Sequence, residues 1–204
     1  MLNCLAGVEQ PRSLRYWAER NRRKSLIDEP HIAPLTGFAA SLRRPDNIVP
    51  YFDPLDGGIR AKMLFLFEKP GPKTDPEGGS GFISRDNDDA TAESIFNFMR
   101  QAQIDRRDTV IWNVIPAWNK TIEIKGGELT DGLAALSKLY KLLPELAVVV
   151  LVGRKAERAK PAIEGQGLKV FVSAHPSPKV RAINRLKWDA IPTVWMAARQ
   201  ALTG

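Results

Sequence analysis

The run Ala147-Val148-Val149-Val150-Leu151-Val152 carries no polar side chain on either face. A strand with one wetted face alternates polar and apolar residues, whereas a central parallel strand, covered on both faces, reads as an unbroken apolar run. Three other runs end strands of similar character, at about Ala61 to Phe67, Thr109 to Ile115 and Leu168 to Ser173. Segments of helical spacing separate them. Ala92, Ile95, Phe96 and Met99 recur on one face of 90–103, with Thr91 as N-cap or first-turn residue, and Leu133, Leu136, Leu139, Tyr140 and Leu143 recur within 127–143. A short helix is expected at 154–164 and a last one at about 180–202, its buried side formed by Trp188, Ile191, Val194, Trp195 and Ala198, with a kink or break at Pro192. This alternation predicts an α/β fold, a three-layer sandwich with a central parallel four-stranded sheet flanked by helices.

Residues 11–29 precede the first strand and have helical spacing at Leu14, Trp17 and Ala18. Arg12, Arg15, Arg20, Arg22, Arg23 and Lys24 make this stretch basic, as either a solvated face or a contact to a nucleic-acid backbone. Residues 30–60 are punctuated by Pro30, Pro34, Pro45, Pro50, Pro54, Gly57 and Gly58 and read as loop-rich. Apolar residues persist through them, so 1–204 is expected to be one domain, with 1–60 a helical and loop extension packed on it. That length is enough to bury a core. No apolar run approaches the roughly 20 residues of a membrane helix, and Met1 to Gly7 has no basic start leading into a long apolar stretch, so neither a membrane span nor a secretory signal is expected. The single cysteine, Cys4, excludes an intramolecular disulfide, a Cys-ligated iron–sulfur cluster and a multi-Cys zinc site. A monomer in a reducing cytoplasm, without cofactor or metal, is the simplest expectation. The net charge of +7 suits a polyanionic partner such as DNA or RNA as well as it suits plain solubility.

In open α/β sheets ligands bind beyond the carboxyl ends of the strands. Four polar clusters fall at that edge: Glu68-Lys69-Pro70-Gly71 after the first strand, the loop from Gly79 to Asp89 that follows it, Asn113 at the end of the second strand, and His175-Pro176-Ser177-Pro178 after the fourth. An Asn amide offers donor and acceptor together and can read the edge of an amide-like ring. A His can donate to a carbonyl oxygen on which charge develops. Phe82, in a glycine-flanked loop, can lie over an aromatic ligand. Pro-Ser-Pro offers a hydroxyl on a stiff turn, suited to a phosphate. Together these groups fit a flipped pyrimidine on a DNA strand.

With these residues, the sequence resembles the uracil-DNA glycosylase superfamily, from about Ala61 to Arg181. Phe67-Glu68-Lys69-Pro70-Gly71 is similar to the family's first motif, Phe82 falls where a uracil-stacking Phe is expected, Asn113 matches the second-strand Asn, and His175-Pro176-Ser177-Pro178 matches the last motif. The resemblance implies a monofunctional hydrolase that breaks the glycosidic bond of deoxyuridine in DNA, releasing uracil and leaving an abasic site. It implies that His175 stabilises charge on uracil O2, that Asn113 reads the O4 and N3 edge, and that Lys69 and Gly71 line the base site. Ser177, Pro178, Lys179, Arg181 and Arg185 are implied to contact DNA, with Arg181 or Val180 filling the gap left by the flipped base. Three departures stand out. Lys69 occupies the position of the water-orienting Asp or Asn, which leaves Glu68 and the Asp86 to Asp89 run as candidates, Asp86 first. Gly71 stands where one branch has a Tyr that blocks the thymine methyl. Branches with the Pro-Gly form commonly carry a four-Cys cluster, which one cysteine cannot supply.

Each residue also has a plainer reading. His175 could cap a helix or sit in the core, Asn113 could satisfy backbone at a strand end, Phe82 could anchor a loop, Lys69 could be a surface charge, and Asp88 and Asp89 could complement a helix dipole. The Trp112 and Trp118 pair reads as core or pocket wall, and His31 is given no role. A second function follows from Lys69, a DNA- or base-binding member of the same fold with weak or no turnover. A third is an unrelated small-molecule α/β enzyme.

Overall fold

The computed structural model describes residues 9–45 and 47–202; Cys4 and the segment around it lie outside the described residues. Four parallel strands form the central sheet in the order β4-β2-β5-β6: β2 (Met63–Phe67), β4 (Thr109–Asn113), β5 (Val148–Val152) and β6 (Lys169–Ser173). Every residue of β2, β4 and β5 is buried, which accounts for the unbroken apolar sequences of β2 and β5 and for the apolar centre of β4 between Thr109 and Asn113. Strands β4 and β6 are the two edges; β4 is covered, whereas β6 exposes Lys169 and Val172. A separate two-stranded parallel sheet pairs β1 (Tyr51–Phe52) with β3 (Phe82–Ile83).

Helices cover both faces. Successive side chains along a strand point to opposite faces. Phe65 meets Trp195 of α8 (Ile191–Gln200) edge to face, with centroids 4.9 Å apart. On the other face Trp112, register partner of Leu66, stacks on Phe52 at 4.0 Å and touches Phe38 of α2 (Ala33–Ser41). Helix α3 (Ala90–Gln101) packs on α8 through Phe98. Helix α4 (Glu128–Lys141) approaches the backbone after β4 so closely that a Cβ on Gly132 would fall 1.9 Å from the Val114 carbonyl oxygen. The remaining helices are α1 (Trp17–Lys24), α5 (Lys160–Ile163), α6 (Pro178–Ile183) and α7 (Arg185–Asp189).

Two expectations need correction. Residues 30–60 hold α2 and β1. Pro34 sits in the first turn of α2, where its missing N–H is no loss, and Ile32, Leu35, Phe38, Ala39, Val49 and Phe52 belong to the main core. The expected helix at 180–202 is three helices. The chain breaks at Asn184 (φ −143°, ψ 82°) and turns again at Ala190, while Pro192 lies in the first turn of α8 and breaks nothing. Of the two readings of Thr91, the first-turn one holds: Asp89 caps α3, its Oδ1 accepting from the N–H groups of Thr91 and Ala92 at 2.8 and 2.9 Å.

Candidate active site

Parallel pairing sets the strand ends level. Phe67 is opposite Asn113, Leu66 is opposite Leu151, and Val152 is opposite Ser173. Glu68, Asn113, Gly153 and the Ala174-His175 turn therefore leave the sheet along one edge. There they enclose a cavity of about 470 Å³ whose lining includes Phe67, Glu68, Asn87, Asp89, Asn113 and His175. The volume lies in the range of small-molecule sites. A hollow of about 540 Å³ between Leu42–Asn47 and the 115–131 segment contains neither His175 nor Asn113 and is set apart from this chemistry.

Asn113 is 4% exposed, yet none of the described residues hydrogen-bonds to its side-chain amide, and neither amide atom is fully sealed off. A buried polar group normally finds a partner, so this amide is free to pair with something entering the cavity. His175 stands across from it, half-buried, its ring edge-on to Phe67 at 5.6 Å. Burial lowers its pKa from the ordinary imidazole value; Glu68 and Asp89 pull it up, and Lys155 pushes it further down. The net lowering keeps the imidazole neutral at pH 7, with one ring N–H available as donor. Gly153 makes this arrangement possible. Its φ of +94° is left-handed, and a Cβ there would meet Glu68 Oε1 at 2.7 Å and His175 Cβ at 3.3 Å. Glu68 is held in place by Lys155, whose N–H donates to Oε1 at 3.1 Å and whose Nζ lies 3.9 Å from Oε2.

Lys69 borders the cavity, but its ammonium turns away from it. Nζ donates to Glu128 at 2.9 and 3.0 Å and to the Glu123 carbonyl at 2.8 Å, strapping the 119–128 segment to the end of β2. Gly71 also lines the cavity, and a Cβ added there would meet nothing within 4 Å.

Two expected site residues lie elsewhere. Phe82 is fully buried in β3 beside Tyr51, their centroids 6.2 Å apart, and does not line the cavity. Its place as an aromatic wall falls to Phe67, and the 82–89 segment contributes Ile83, Ser84, Asn87 and Asp89 instead. Asp86 is 2% exposed and accepts from Arg23 and Arg106, both at 2.7 Å. It belongs to a buried cluster of three arginines and three aspartates, formed by Arg23, Arg85 and Arg106 with Asp53, Asp56 and Asp86. Ser84 joins the cluster by donating to Asp53, and its Oγ accepts from the Asp86 N–H at 2.9 Å. The cluster thus clamps the cavity wall at 84–87 to residues 53–56 and to α1. Burial alone would raise Asp53, but Arg106 and Arg23 hold it far below the usual carboxylate range. Burial pushes Asp56 up to about 7, helped by Asp53 and Asp86 and opposed by Arg106 and Arg85.

Around the mouth, Ser177 is spent on capping α6, accepting from the Val180 N–H at 3.4 Å. Pro178 opens that helix, and Lys179 is exposed. The Arg181 guanidinium lies 5.9 Å from the Trp188 ring, and Arg185 pairs with Asp189 at 2.9 Å. Val180 is half-buried, whereas Ile183 and Leu186 are 74% and 85% exposed.

A sequence model of the Uracil DNA glycosylase superfamily matches residues 54–198. The chain belongs to this superfamily. The match spans the central sheet and the elements that carry the cavity. A solution structure of a Methanosarcina acetivorans protein described as a uracil DNA glycosylase shares the fold, with a TM-score of 0.52 at 18% identity, covering 74% of this chain and 94% of that one. The crystal structures of mimivirus uracil-DNA glycosylase (TM-score 0.44, 15% identity, 80% of this chain and 68% of that one) and of wild-type UNG from Nitratifractor salsuginis (TM-score 0.41, 14% identity, 92% and 98%) are more distant. No curated protein sequence matches.

Glu68, Lys69, Gly71, Asn113 and His175 are thus brought together. Asn87, one of the 86–89 candidates, also lines the cavity, whereas sequence reasoning missed Gly153 and Lys155. Gly153 had a signal, a glycine directly after the central strand and level with two polar turns. Lys155 had none.

Proposed function

We propose that this protein is a monofunctional uracil-DNA glycosylase, hydrolysing the N-glycosidic bond of a flipped deoxyuridine. The observation that carries this reading is the pairing of Asn113 and His175 across one cavity. A buried amide with no hydrogen-bond partner among the described residues and a neutral imidazole line the same cavity, at the level ends of the two outer strands, β4 and β6. Uracil presents acceptor O4 beside donor N3–H, the complement of the Asn113 amide; cytosine presents the reverse. As the bond to the sugar lengthens, negative charge gathers on the base, and the His175 N–H donates to O2. A neutral donor preorganised at the base stabilises that charge without reorganisation. Phe67 supplies the aromatic wall.

Water reaches the departing sugar from the carboxylate side. With Asp86 locked in the ion cluster, Glu68 takes this role; Lys155 fixes its carboxylate beside His175. Asp89 is the second carboxylate of the cavity, with one oxygen spent on capping α3. Ile183 and Leu186, exposed among Lys179, Arg181, Arg185 and Lys187, replace Val180 as the apolar side chains able to fill the gap in the duplex. A binding protein with weak turnover is the second reading, and it rests on Lys69, whose strapped ammonium cannot orient water. Labelled uracil-containing DNA separates the two. Alkali-labile cleavage marks a glycosylase, and intact DNA bound more tightly than its thymine counterpart marks a binding protein.

A further inference from the structure

The aromatic pair at the start of α1 takes no part in the cavity. Trp17 is 71% exposed and Tyr16 54%, while the other four tryptophans are at most 8% exposed. The surroundings are cationic. The Arg15 guanidinium sits over the Tyr16 ring, 4.7 Å from its centroid, and Lys24 lies on the Trp17 face of α1, two turns on. Arg22 is neutralised by Glu19 at 2.6 Å, and Asp28 and Glu29 follow only after the helix has ended. The helix is a fixed mount, because its Arg23 is locked into the buried ion cluster.

This face is continuous with the cavity wall. Arg20, one turn from Trp17, donates to the Gly79 carbonyl at 2.9 Å, and Gly79 packs on the backbone of Lys73, which borders the cavity. Leu14 N–H donates to the Asp86 carbonyl at 3.1 Å, and Arg12 pairs with Glu93 at 2.8 Å. A DNA strand with one base in the cavity would pass this face next.

We infer that Tyr16 and Trp17 form a stacking platform for an unpaired base of that same strand, with Arg15 and Lys24 against its phosphates. The placement rests on the glycosylase reading; the stacking itself does not. Aromatic side chains beside cations bind single strands with little sequence preference, because every base has a π face. Bases within a duplex are already stacked, so the platform favours single-stranded DNA.

The test is fluorescence anisotropy with a uracil-free oligothymidylate and with a uracil-free duplex of equal length, for wild type, Trp17→Ala and Trp17→Phe. We expect Trp17→Ala to weaken single-strand binding about tenfold, the equivalent of about 1.4 kcal/mol, with less than twofold change on the duplex. Trp17→Phe should stay within about threefold of wild type. Equal losses on both DNAs, or no loss on either, would overturn the platform; the latter would leave Trp17 to a protein partner. Uracil excision run in parallel separates the two readings. Excision abolished by His175→Ala with binding indifferent to Trp17 keeps the glycosylase and removes the platform. Trp17-dependent binding without any excision does the reverse.

Discussion

Asp86→Asn separates a catalytic carboxylate from a structural one. Asp86 Oδ2 accepts from Arg23 and Arg106 at 2.7 Å each, inside a cluster of three buried arginines and three buried aspartates. An amide keeps an acceptor for one of these bonds but removes a charge, leaving three buried cations facing two anions. Removing one partner of a buried pair costs about 3–5 kcal/mol, and a retained hydrogen bond returns part of that, so we expect Asp86→Asn to lose about 2–3 kcal/mol and Asp86→Ala about 3–5 kcal/mol. Small domains are stable by only about 5–15 kcal/mol, so the Asn variant should still fold. Urea unfolding followed by tryptophan fluorescence reads the stability, and single-turnover excision on the folded fraction reads the chemistry. The account expects a clear drop in midpoint with excision by folded protein within about tenfold of wild type. An unchanged midpoint with a 100-fold or greater loss of excision would refute the structural assignment and return Asp86 to the water.

Gly153→Ala should cost about 1–2 kcal/mol through its φ of +94°. It should also slow excision more than tenfold by displacing Glu68 and crowding His175, measured by urea unfolding and single-turnover kinetics together. Asp56 sits near pKa 7 in the folded chain against about 3.9 unfolded. The stability that its bound proton confers is therefore full below about pH 4 and lost as pH rises through 7. Relative to wild type, Asp56→Asn should gain up to about 4 kcal/mol between pH 4 and pH 8, and a parallel pair of stability–pH curves would contradict this. Asn113→Asp removes the donor that faces O4 and puts a carboxylate against the uracil edge; uracil excision should fall at least 100-fold, read by base release, and the unfolding midpoint should fall as pH rises, because the buried carboxylate gains no partner to offset its desolvation.

Much of this architecture is written in local patterns. The central strands are continuous apolar runs because both faces are covered, and their order along the chain placed Glu68, Asn113 and His175 at one edge. What escaped is non-local. Phe82 reads as a loop aromatic until Tyr51, 31 residues upstream, pairs with it and draws it inward. Arg23 looks like one more cation in a basic run, and only the tertiary fold shows it reaching Asp53 and Asp86. Pro30 and Pro34 disguised α2 as loop, since a Pro before a helix or in its first turn looks the same as turn punctuation. The acidic run 86–89 gave no sign of which carboxylate faces the cavity. Backbone geometry decides that, sending Asp86 inward to the arginines and Asp89 to the rim.

The most direct test of the central claim is the single-turnover rate of uracil release from a labelled strand by wild type and by His175→Ala, with DNA affinity measured alongside. The account predicts release by wild type, and a 100- to 1000-fold slower rate in the variant at nearly unchanged affinity. Wild-type protein that leaves the uracil in place, on single- and double-stranded DNA alike, would contradict it.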